Sequence, residues 1–336
     1  MRNLITCLLA GAVLSLPTLA LADAHDVANA EASQPAVSPK MLPGNGLAQH
    51  DFLYCGEYDF THDQQILHLI RGGREVWSYS IPFHILLDNW ADGQEFGDCS
   101  LLSNGNVLLT TRFGAREVQP DKTVVWEYQA TRQHTEIHSI QPIGDDRVLM
   151  TVNGDPARLM IIDTRKNTIE KTIVLPTGKP SYEHGQFRRV RMTKAGNFLA
   201  AQMDLNKVVE YDSSGLAIWS VDAPEPWSAV RLDNGHTLIG GNEYGYVREV
   251  DASGKTVWEL TRADLPGYLI GHVQEVIRLP NGNTVFTNWI AGHTKPEDWA
   301  KTAQIIEVTP DKKVVWALRS WDNPGLGPAS ALQILK

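Results

Sequence analysis

The sequence predicts an all-β fold, a six-bladed β-propeller of four-stranded blades whose ring is closed by the C-terminal strand. Two observations lead to this prediction. Short alternating segments recur with a period of about 40–50 residues, which is typical of propeller blades. Turn signals of the Asn-Gly and Ser-Gly type separate the segments in most repeats, and Gly tolerates the positive φ that tight hairpins need.

The clearest repeat is Trp227–Leu260. Asp233–His236 and Asp251–Lys255 are turn signals, and the alternation between them predicts strands on either side. Trp258 lies in the last strand, where its large apolar surface can fill the widening gap between neighbouring blades. The four predicted strands of this repeat are Ser228–Leu232, Thr237–Gly240, Tyr246–Val250 and Thr256–Leu260.

The same outer-strand pattern occurs six times, five times with Trp. Its occurrences are Glu75-Val76-Trp77, Val124-Val125-Trp126, Thr168–Val174 (without Trp), Ala217-Ile218-Trp219, Thr256-Val257-Trp258 and Val314-Val315-Trp316. Six outer strands predict six blades. The first blade lacks an inner strand, since Phe52–Tyr58 has the pattern of a second strand. Ala329–Leu335 resembles Ser228–Leu232, so we expect the C-terminus to complete blade one and remove an open sheet edge.

The N-terminus has the pattern of a secretory signal peptide, residues 1–22. Arg2 precedes the largely apolar run Leu4–Leu21, and Ala20-Leu21-Ala22 is a small-x-small cleavage signal. Residues 23–48 are rich in Ala, Ser and Pro and predict a disordered linker, which leaves 49–336 for the propeller. We therefore expect a periplasmic or secreted protein with no membrane span after signal cleavage.

Charge and cysteine content narrow the function classes. The net charge of −9 disfavours electrostatic binding to nucleic acid, although Arg188-Arg189-Val190-Arg191 is a local basic cluster that could hold an anion. Cys55 and Cys99 are the two cysteines of the mature chain. They can form one disulfide in an oxidising compartment or remain two buried thiols.

Two stretches resemble known bacterial propeller families. Gly254–Trp258 resembles the repeats of PQQ-like, quinoprotein-type propellers. His272 with Leu279–Asn283 is similar to the arylsulfotransferase family. The resemblance covers about residues 50–336 and implies a propeller and, for an enzyme, sulfotransferase-type chemistry. PQQ dehydrogenases have eight Trp blades and a vicinal cysteine pair, and this chain has neither, so PQQ is not an expected cofactor.

Histidines concentrate at one predicted mouth of the propeller. His138, His184 and His272 lie at or just before the inner strands of blades three, four and six. The start of each inner strand and the loop after each second strand share one face around the axis. Further candidates predicted near this mouth are Asp98, Arg112, Arg158, Arg189, Trp227, Gln274, Trp289 and His293.

Three interpretations of the mouth remain open. In the first, His138, His184 and His272 bind a divalent metal, with Asp98 or Gln274 completing the shell. In the second, an imidazole is the nucleophile or general base while arginines hold an anionic group; the arginine candidates are Arg112, Arg158 and Arg189. The sulfotransferase resemblance implies this second chemistry, and a carbohydrate lyase or hydrolase uses similar groups. In the third, the histidines only hydrogen-bond to neighbouring blades.

The predicted function is binding of a small anionic or carbohydrate-like ligand at this His-rich axial pocket, with turnover left open. Trp227 and Trp289 could stack on a sugar or aryl ring there. The alternative is a non-catalytic envelope scaffold that binds a partner protein through a propeller face. Fold alone does not separate the two, because propellers host many unrelated functions.

Overall fold

The computed structural model describes residues 41–87, 90–130, 134–242, 245–292 and 294–335. The predicted signal peptide, the linker up to residue 40 and His293 lie outside the described residues. No helix in the described part of the chain is long and apolar enough to cross a bilayer.

Six four-stranded antiparallel sheets form a ring, which confirms the predicted six-bladed β-propeller. Strands follow one another from the axis outward in each blade. Blade one contains β1 (Phe52–Gly56), β2 (Gln64–Arg71) and β3 (Arg74–Pro82), and a hairpin of β4 (His84–Leu87) and β5 (Trp90–Gly93) follows it. Blade two contains β6 (Phe96–Leu101), β7 (Val107–Thr111), β8 (Gly114–Val118) and β9 (Val124–Gln129).

Blades three to six have the same strand order as blade two. Blade three is β10 (Glu136–Ile143), β11 (Arg147–Asn153), β12 (Arg158–Asp163) and β13 (Thr168–Val174). Blade four is β14 (Phe187–Met192), β15 (Phe198–Gln202), β16 (Lys207–Tyr211) and β17 (Ala217–Asp222). Blade five is β18 (Pro226–Arg231), β19 (Thr237–Gly241), β20 (Val247–Val250) and β21 (Thr256–Leu260). Blade six is β22 (Val276–Arg278), β23 (Thr284–Thr287), β24 (Ile305–Val308) and β25 (Val314–Leu318), with the short helix α1 (Pro296–Trp299) inserted before β24.

The C-terminal strand β26 (Ala329–Ile334) is the innermost strand of blade one. It pairs with β1 in an antiparallel register that places Phe52 opposite Ile334 and Tyr54 opposite Leu332. The predicted ring closure is therefore confirmed. Cys55 of β1 and Cys99 of β6 form a disulfide that joins blades one and two, which is one of the two states that the sequence left open.

The hydrophobic cores lie between adjacent blades, because each blade is covered by a neighbour on both faces. Between blades three and four, for example, Leu149 and Leu159 pack with Phe187 and Phe198. The second strands β7, β15 and β19 are buried along their whole length. This packing holds the inner strands, and with them the axial side chains, on a rigid frame.

The repeated outer-strand Trp links each blade to the next by a hydrogen bond as well as by packing. The indole N–H of Trp258 donates to the carbonyl oxygen of Pro310 at 2.8 Å. Trp77 donates to Pro120 at 2.8 Å and Trp219 to Ala252 at 2.9 Å. The acceptors lie in the outer hairpins of the following blades, so this bond ties neighbouring blades together.

Two departures from the repeat follow the same geometry. Blade three has no Trp, and Lys171 Nζ instead donates to the carbonyl of Ser213, at the hairpin position that Ala252 holds one blade later. After blade six there is no further hairpin, and Trp316 donates to Gly46 at 2.9 Å. Residues 41–48, the end of the predicted linker, thus take the place of the missing hairpin, and Ala317 N also donates to Pro43 O at 3.1 Å.

We expect Trp258→Phe to lower the free energy of unfolding by about 1 kcal/mol, because the ring stays large and apolar while one interblade hydrogen bond is lost. The matched control is Val257→Ala at the exposed neighbouring position, for which a change within about 0.5 kcal/mol is expected. Urea denaturation measures both. Equal effects of the two substitutions would show that the indole N–H contributes nothing.

Candidate functional site

An axial cavity of about 540 Å³ opens where the inner strands begin and the second strands end. Six of the residues predicted from the sequence line it: Arg112, His184, Trp227, His272, Gln274 and Trp289. Glu57, Glu95, Arg188 and Asn242 also line it and were not among the predicted site residues. The sequence therefore located the mouth, while the structure adds acidic groups and a different arginine.

Irregularities at the inner strands shape this mouth. The strand register shifts between Phe96 and Cys99, between Glu136 and Ser139, and between Phe187 and Val190. Such bulges re-aim side chains and are frequent next to active sites. The three bulges lie where β6, β10 and β14 begin. Side chains at these strand starts therefore need not alternate between the two faces of the sheet.

Glu136, the first residue of β10, is the centre of a buried hydrogen-bond cluster. Its Oε2 accepts hydrogen bonds from His138 Nε2 and His184 Nδ1, both at 2.8 Å. Its Oε1 accepts from Arg112 Nε at 2.8 Å and Nη2 at 2.6 Å. Burial alone would raise the pKa of this carboxyl, but the bonds from His138 and His184 outweigh burial and lower it. Glu136 is therefore an ionised acceptor between blades three and four.

Both imidazoles of this cluster are neutral at neutral pH. Burial, followed by the nearby Arg188 guanidinium, lowers the pKa of His138 to about 3. For His184 the charge of Arg188 is the larger cause, and burial adds to it, so its pKa is also lowered. A neutral His184 that donates from Nδ1 carries its lone pair on Nε2. This side chain is 38% exposed and lines the cavity, so that Nε2 is an available proton acceptor.

Arg188 is the only fully buried guanidinium among the described residues that line the cavity. Its Cζ lies 3.9 Å from the centre of the Trp227 ring, and Nη1 lies 3.1 Å from His138 Nδ1. Its Nε has no hydrogen-bond partner in the described part of the chain. The sequence pointed to the basic cluster 188–191, but Arg189 rather than Arg188 was the predicted site residue.

Arg189 and Asp98 belong to a separate group, the axial ion cluster, which comprises Asp98, Arg189, Arg191 and Glu275. Arg189 Nε donates to Glu275 Oε2 at 3.1 Å, and Arg191 donates to both oxygens of Asp98 at 2.8 and 3.1 Å. None of the four lines the axial cavity, whereas Arg191 and Glu275 line a second cavity at the other end of the inner strands. The cluster thus lies between the two mouths.

The other predicted residues are distributed as follows. Arg158 lies in the third strand of blade three, near Tyr128, and does not line the cavity. His272 and Trp289 form a backbone bridge, and their rings stack with centroids 4.9 Å apart. Gln274 is buried at the cavity wall.

The potential metal-binding side chains that the structure brings together differ from the predicted set of His138, His184 and His272. Within the described part of the chain, donor atoms of Glu136, His138 and His184 lie within 4.8 Å of one another, and His272 is not part of this group. The donors are already engaged, because Arg112 binds Glu136 and Arg188 contacts His138. Two guanidinium charges at these donors oppose a divalent cation. The geometry therefore favours a hydrogen-bonded cluster over a metal site.

Four residues at the cavity wall each carry a buried polar atom that has no hydrogen-bond partner in the described chain. The atoms are Glu57 Oε2, Arg188 Nε, Asn242 Oδ1 and Gln274 Oε1. Native proteins satisfy nearly all buried polar atoms, and an unsatisfied one costs about 1–3 kcal/mol. All four residues line the same cavity, so one polar ligand bound there can complete them.

Two carboxyl groups on the same wall have raised pKa values. Burial raises the pKa of Glu95 well above its ordinary value, and the neighbouring Glu57 carboxyl raises it further. Burial also raises the pKa of Glu57, although Arg188 and Arg189 act against this effect. Neither Glu57 nor Glu95 was among the site residues predicted from the sequence. The same positional rule, applied to carboxylates at the ends of inner and second strands, would have found them.

Solved structures similar to this chain are propellers. A protein of unknown function from Bacteroides caccae matches with a TM-score of 0.70 and 23% identity over 84% of this chain and 97% of its own. A streptogramin B lyase matches with a TM-score of 0.54 and 11% identity, covering 84% and 86%. No family model and no curated protein matches the sequence. These likenesses show the fold, and the resemblance to PQQ-like and arylsulfotransferase propellers stays a prediction.

Proposed function

We propose that the axial cavity binds a small anionic, carbohydrate-like ligand in a periplasmic or secreted protein. The observation that carries this proposal is the set of buried, unpartnered polar atoms at the cavity wall, which includes Nε of Arg188. A cavity of about 540 Å³ is within the range of about 300–1,000 Å³ that is usual for small-molecule sites.

The anionic group is assigned to Arg188. Its hydrogen bonds among the described residues go to the neutral ring of His138, and none goes to a carboxylate. A guanidinium presents a planar fork of donors that matches carboxylate or sulfate. Stacking on Trp227 holds the plane of this fork in one orientation. A bound anion would hydrogen-bond to this guanidinium directly, whereas the carboxyl groups of Glu57, Glu136 and Glu95 act on it through their charge alone among the described residues.

The carbohydrate-like part is assigned from the other walls. Tyr182, which is half-exposed, and Trp289 provide aromatic surface on which the C–H faces of a sugar ring can pack, whereas Trp227 is buried beneath Arg188. Asn242 and Gln274 provide amide groups with unpaired oxygens, which can accept hydrogen bonds from hydroxyl groups. Convergent arginine, histidine and carboxyl groups around an open cavity favour a ligand site over the alternative of a non-catalytic envelope scaffold.

We expect Arg188→Lys to weaken binding of an acidic sugar by about 10- to 100-fold, because Lys keeps the charge but loses the donor fork, a change worth about 1.5–3 kcal/mol. The probe is a galacturonate oligosaccharide, measured by titration calorimetry, with its methyl ester as the uncharged counterpart. Wild-type protein should bind the acid more tightly than the ester.

The matched control is Arg231→Lys. Arg231 stacks on Trp219 at 4.5 Å as Arg188 does on Trp227, but it lines the cavity at the opposite mouth. This variant should bind like wild type. Equal losses in the two variants, or binding that does not distinguish the acid from its ester, would contradict the assignment of the anion to Arg188.

A further inference from the structure

We infer that the axial cavity is an active site for eliminative cleavage of a uronate, a sugar acid linked through oxygen to a leaving group. His184 removes the proton beside the carboxylate that Arg188 holds, and Glu95 protonates the departing oxygen. This inference rests on the proposed function, because it needs the sugar acid to bind at Arg188. It adds a reaction and three roles, those of His184, Glu95 and Glu136.

The base is assigned from the hydrogen bond between His184 and Glu136. Nδ1 of His184 donates to Glu136 Oε2 at 2.8 Å, and Arg112 holds the other oxygen of the same carboxylate. A carboxylate in this position orients an imidazole, fixes its tautomer and stabilises the imidazolium that forms when Nε2 takes a proton. Glu136 is thus a positioning residue, and His184 is the group that contacts substrate.

The acid is assigned to Glu95, which precedes β6 in blade two and faces the same cavity as His184 of blade four. Its side chain is buried at the cavity wall, with 4% of its surface exposed. Burial and the adjacent Glu57 keep its pKa high, whereas the pKa of His184 is low. Titratable groups whose environments drive their pKa values apart in this way are the pattern of an acid–base pair.

The reaction balances without a further reactant. His184 Nε2 takes the proton from the carbon next to the carboxylate, and the electron pair of that C–H bond forms a carbon–carbon double bond. The bond from the next carbon to the leaving oxygen breaks, and its electron pair goes to that oxygen, which receives the proton of Glu95. Arg188 stabilises the negative charge that develops on the carboxylate. Proton exchange with water returns both residues to their starting states.

The experiment incubates the mature protein with oligosaccharides of galacturonate, of glucuronate, and of mannuronate and guluronate. Ultraviolet absorbance reports the conjugated double bond, and calorimetry reports binding of the same probes. Wild type should form unsaturated product from at least one of them. His184→Ala should bind that probe but lose about 10²–10⁴-fold in rate, and added imidazole should restore part of the rate.

The matched control for His184→Ala is His134→Ala. His134 also contacts a glutamate, with Nδ1 3.0 Å from Glu183 Oε1, but it is 75% exposed and does not line the cavity. Its removal should leave the rate unchanged. Glu95→Gln should bind substrate and lose product formation. Glu136→Gln should lower kcat and leave KM nearly unchanged, because it affects the base and not the anion site.

The outcomes separate this inference from the proposed function. If none of the acidic oligosaccharides binds, the proposed function fails and the inference fails with it. If they bind and wild type forms no unsaturated product, the inference is overturned while the proposed function stands. Product formation that survives either His184→Ala or Glu95→Gln at the wild-type rate also overturns the inference.

Discussion

A chain that lacks residues 330–336 should not fold cooperatively, although it retains almost six complete blades. β26 pairs along the whole of β1, and Ser330, Ala331 and Leu332 are buried there. Leu332 packs in the core with Phe52 and Trp316, and Ala331 packs in the core with Cys55 and Phe96. The deletion therefore opens the cores on both sides of blade one and leaves β1 as an unpaired sheet edge.

The size of this effect follows from the small stability of folded domains, about 5–15 kcal/mol in total. Loss of Leu332 alone, as in Leu332→Ala, should cost about 2–5 kcal/mol, and the deletion also removes the ladder of backbone hydrogen bonds to β1. Calorimetry should show one sharp transition for full-length protein, a lower one for Leu332→Ala and none for the truncated chain.

A peptide with the sequence of residues 329–336 provides the control for this deletion. Added to the truncated chain, it should restore a transition whose midpoint rises with peptide concentration, because a ligand of the folded state stabilises by mass action. A peptide with the same residues in scrambled order should not. A truncated protein that melts like the full-length chain would refute closure by β26.

Asp98→Asn should destabilise the propeller by about 3–5 kcal/mol without changing ligand binding, because it breaks a buried charge network. Asp98 accepts two hydrogen bonds from Arg191 and two from backbone N–H groups, those of Cys99 and Ile140. Arg189 Nη1 also lies 3.6 Å from Asp98 Oδ1. Asn cannot balance these guanidinium charges. The sequence had predicted Asp98 as a ligand-binding residue. Unchanged ligand binding by Asp98→Asn would show that its role is structural.

The control for Asp98→Asn is Asp233→Asn, which breaks an exposed pair with Lys194 at 2.6 Å and should cost less than about 1 kcal/mol. The penalty for Asp98→Asn should also depend on pH. Burial acts to raise the pKa of Asp98, but Arg189 and Arg191 outweigh it, and the pKa in the folded state is lowered. A lowered pKa contributes stability above the unfolded-state value, about 3.9, that is lost as pH falls through the folded-state value.

Denaturation of wild type and Asp98→Asn at neutral pH and below pH 4 measures this difference. The two free energies of unfolding should converge at acid pH. If the gap stays constant from neutral to acid pH, the charge of Asp98 is not the source of its stabilisation. Weaker sugar binding by a folded Asp98→Asn protein would show that Asp98 contributes to ligand binding after all.

The blade repeat allowed the six-bladed architecture to be predicted from the sequence. For blade five, the predicted Thr256–Leu260 strand matches β21, and the predicted Ser228–Leu232 strand differs from β18 by one or two residues at each end. The missing inner strand of blade one and its replacement at the C-terminus were also predictable. The interblade bond of each Trp was not, because the acceptors are distant in sequence. Those of Trp219 and Trp258 lie 33 and 52 residues further along the chain, and that of Trp316 is Gly46, near the opposite end of the propeller sequence.

Local alternation and turn chemistry by themselves determined that this protein is a closed six-bladed propeller, because each blade is specified by residues close together in sequence. Only the tertiary structure decided that Arg188 rather than Arg189 reaches the cavity, and that Glu136 joins His138 to His184. Register shifts at the inner strands re-aim neighbouring side chains. The groups that meet at the axis come from different blades, and no local pattern specifies how they pair.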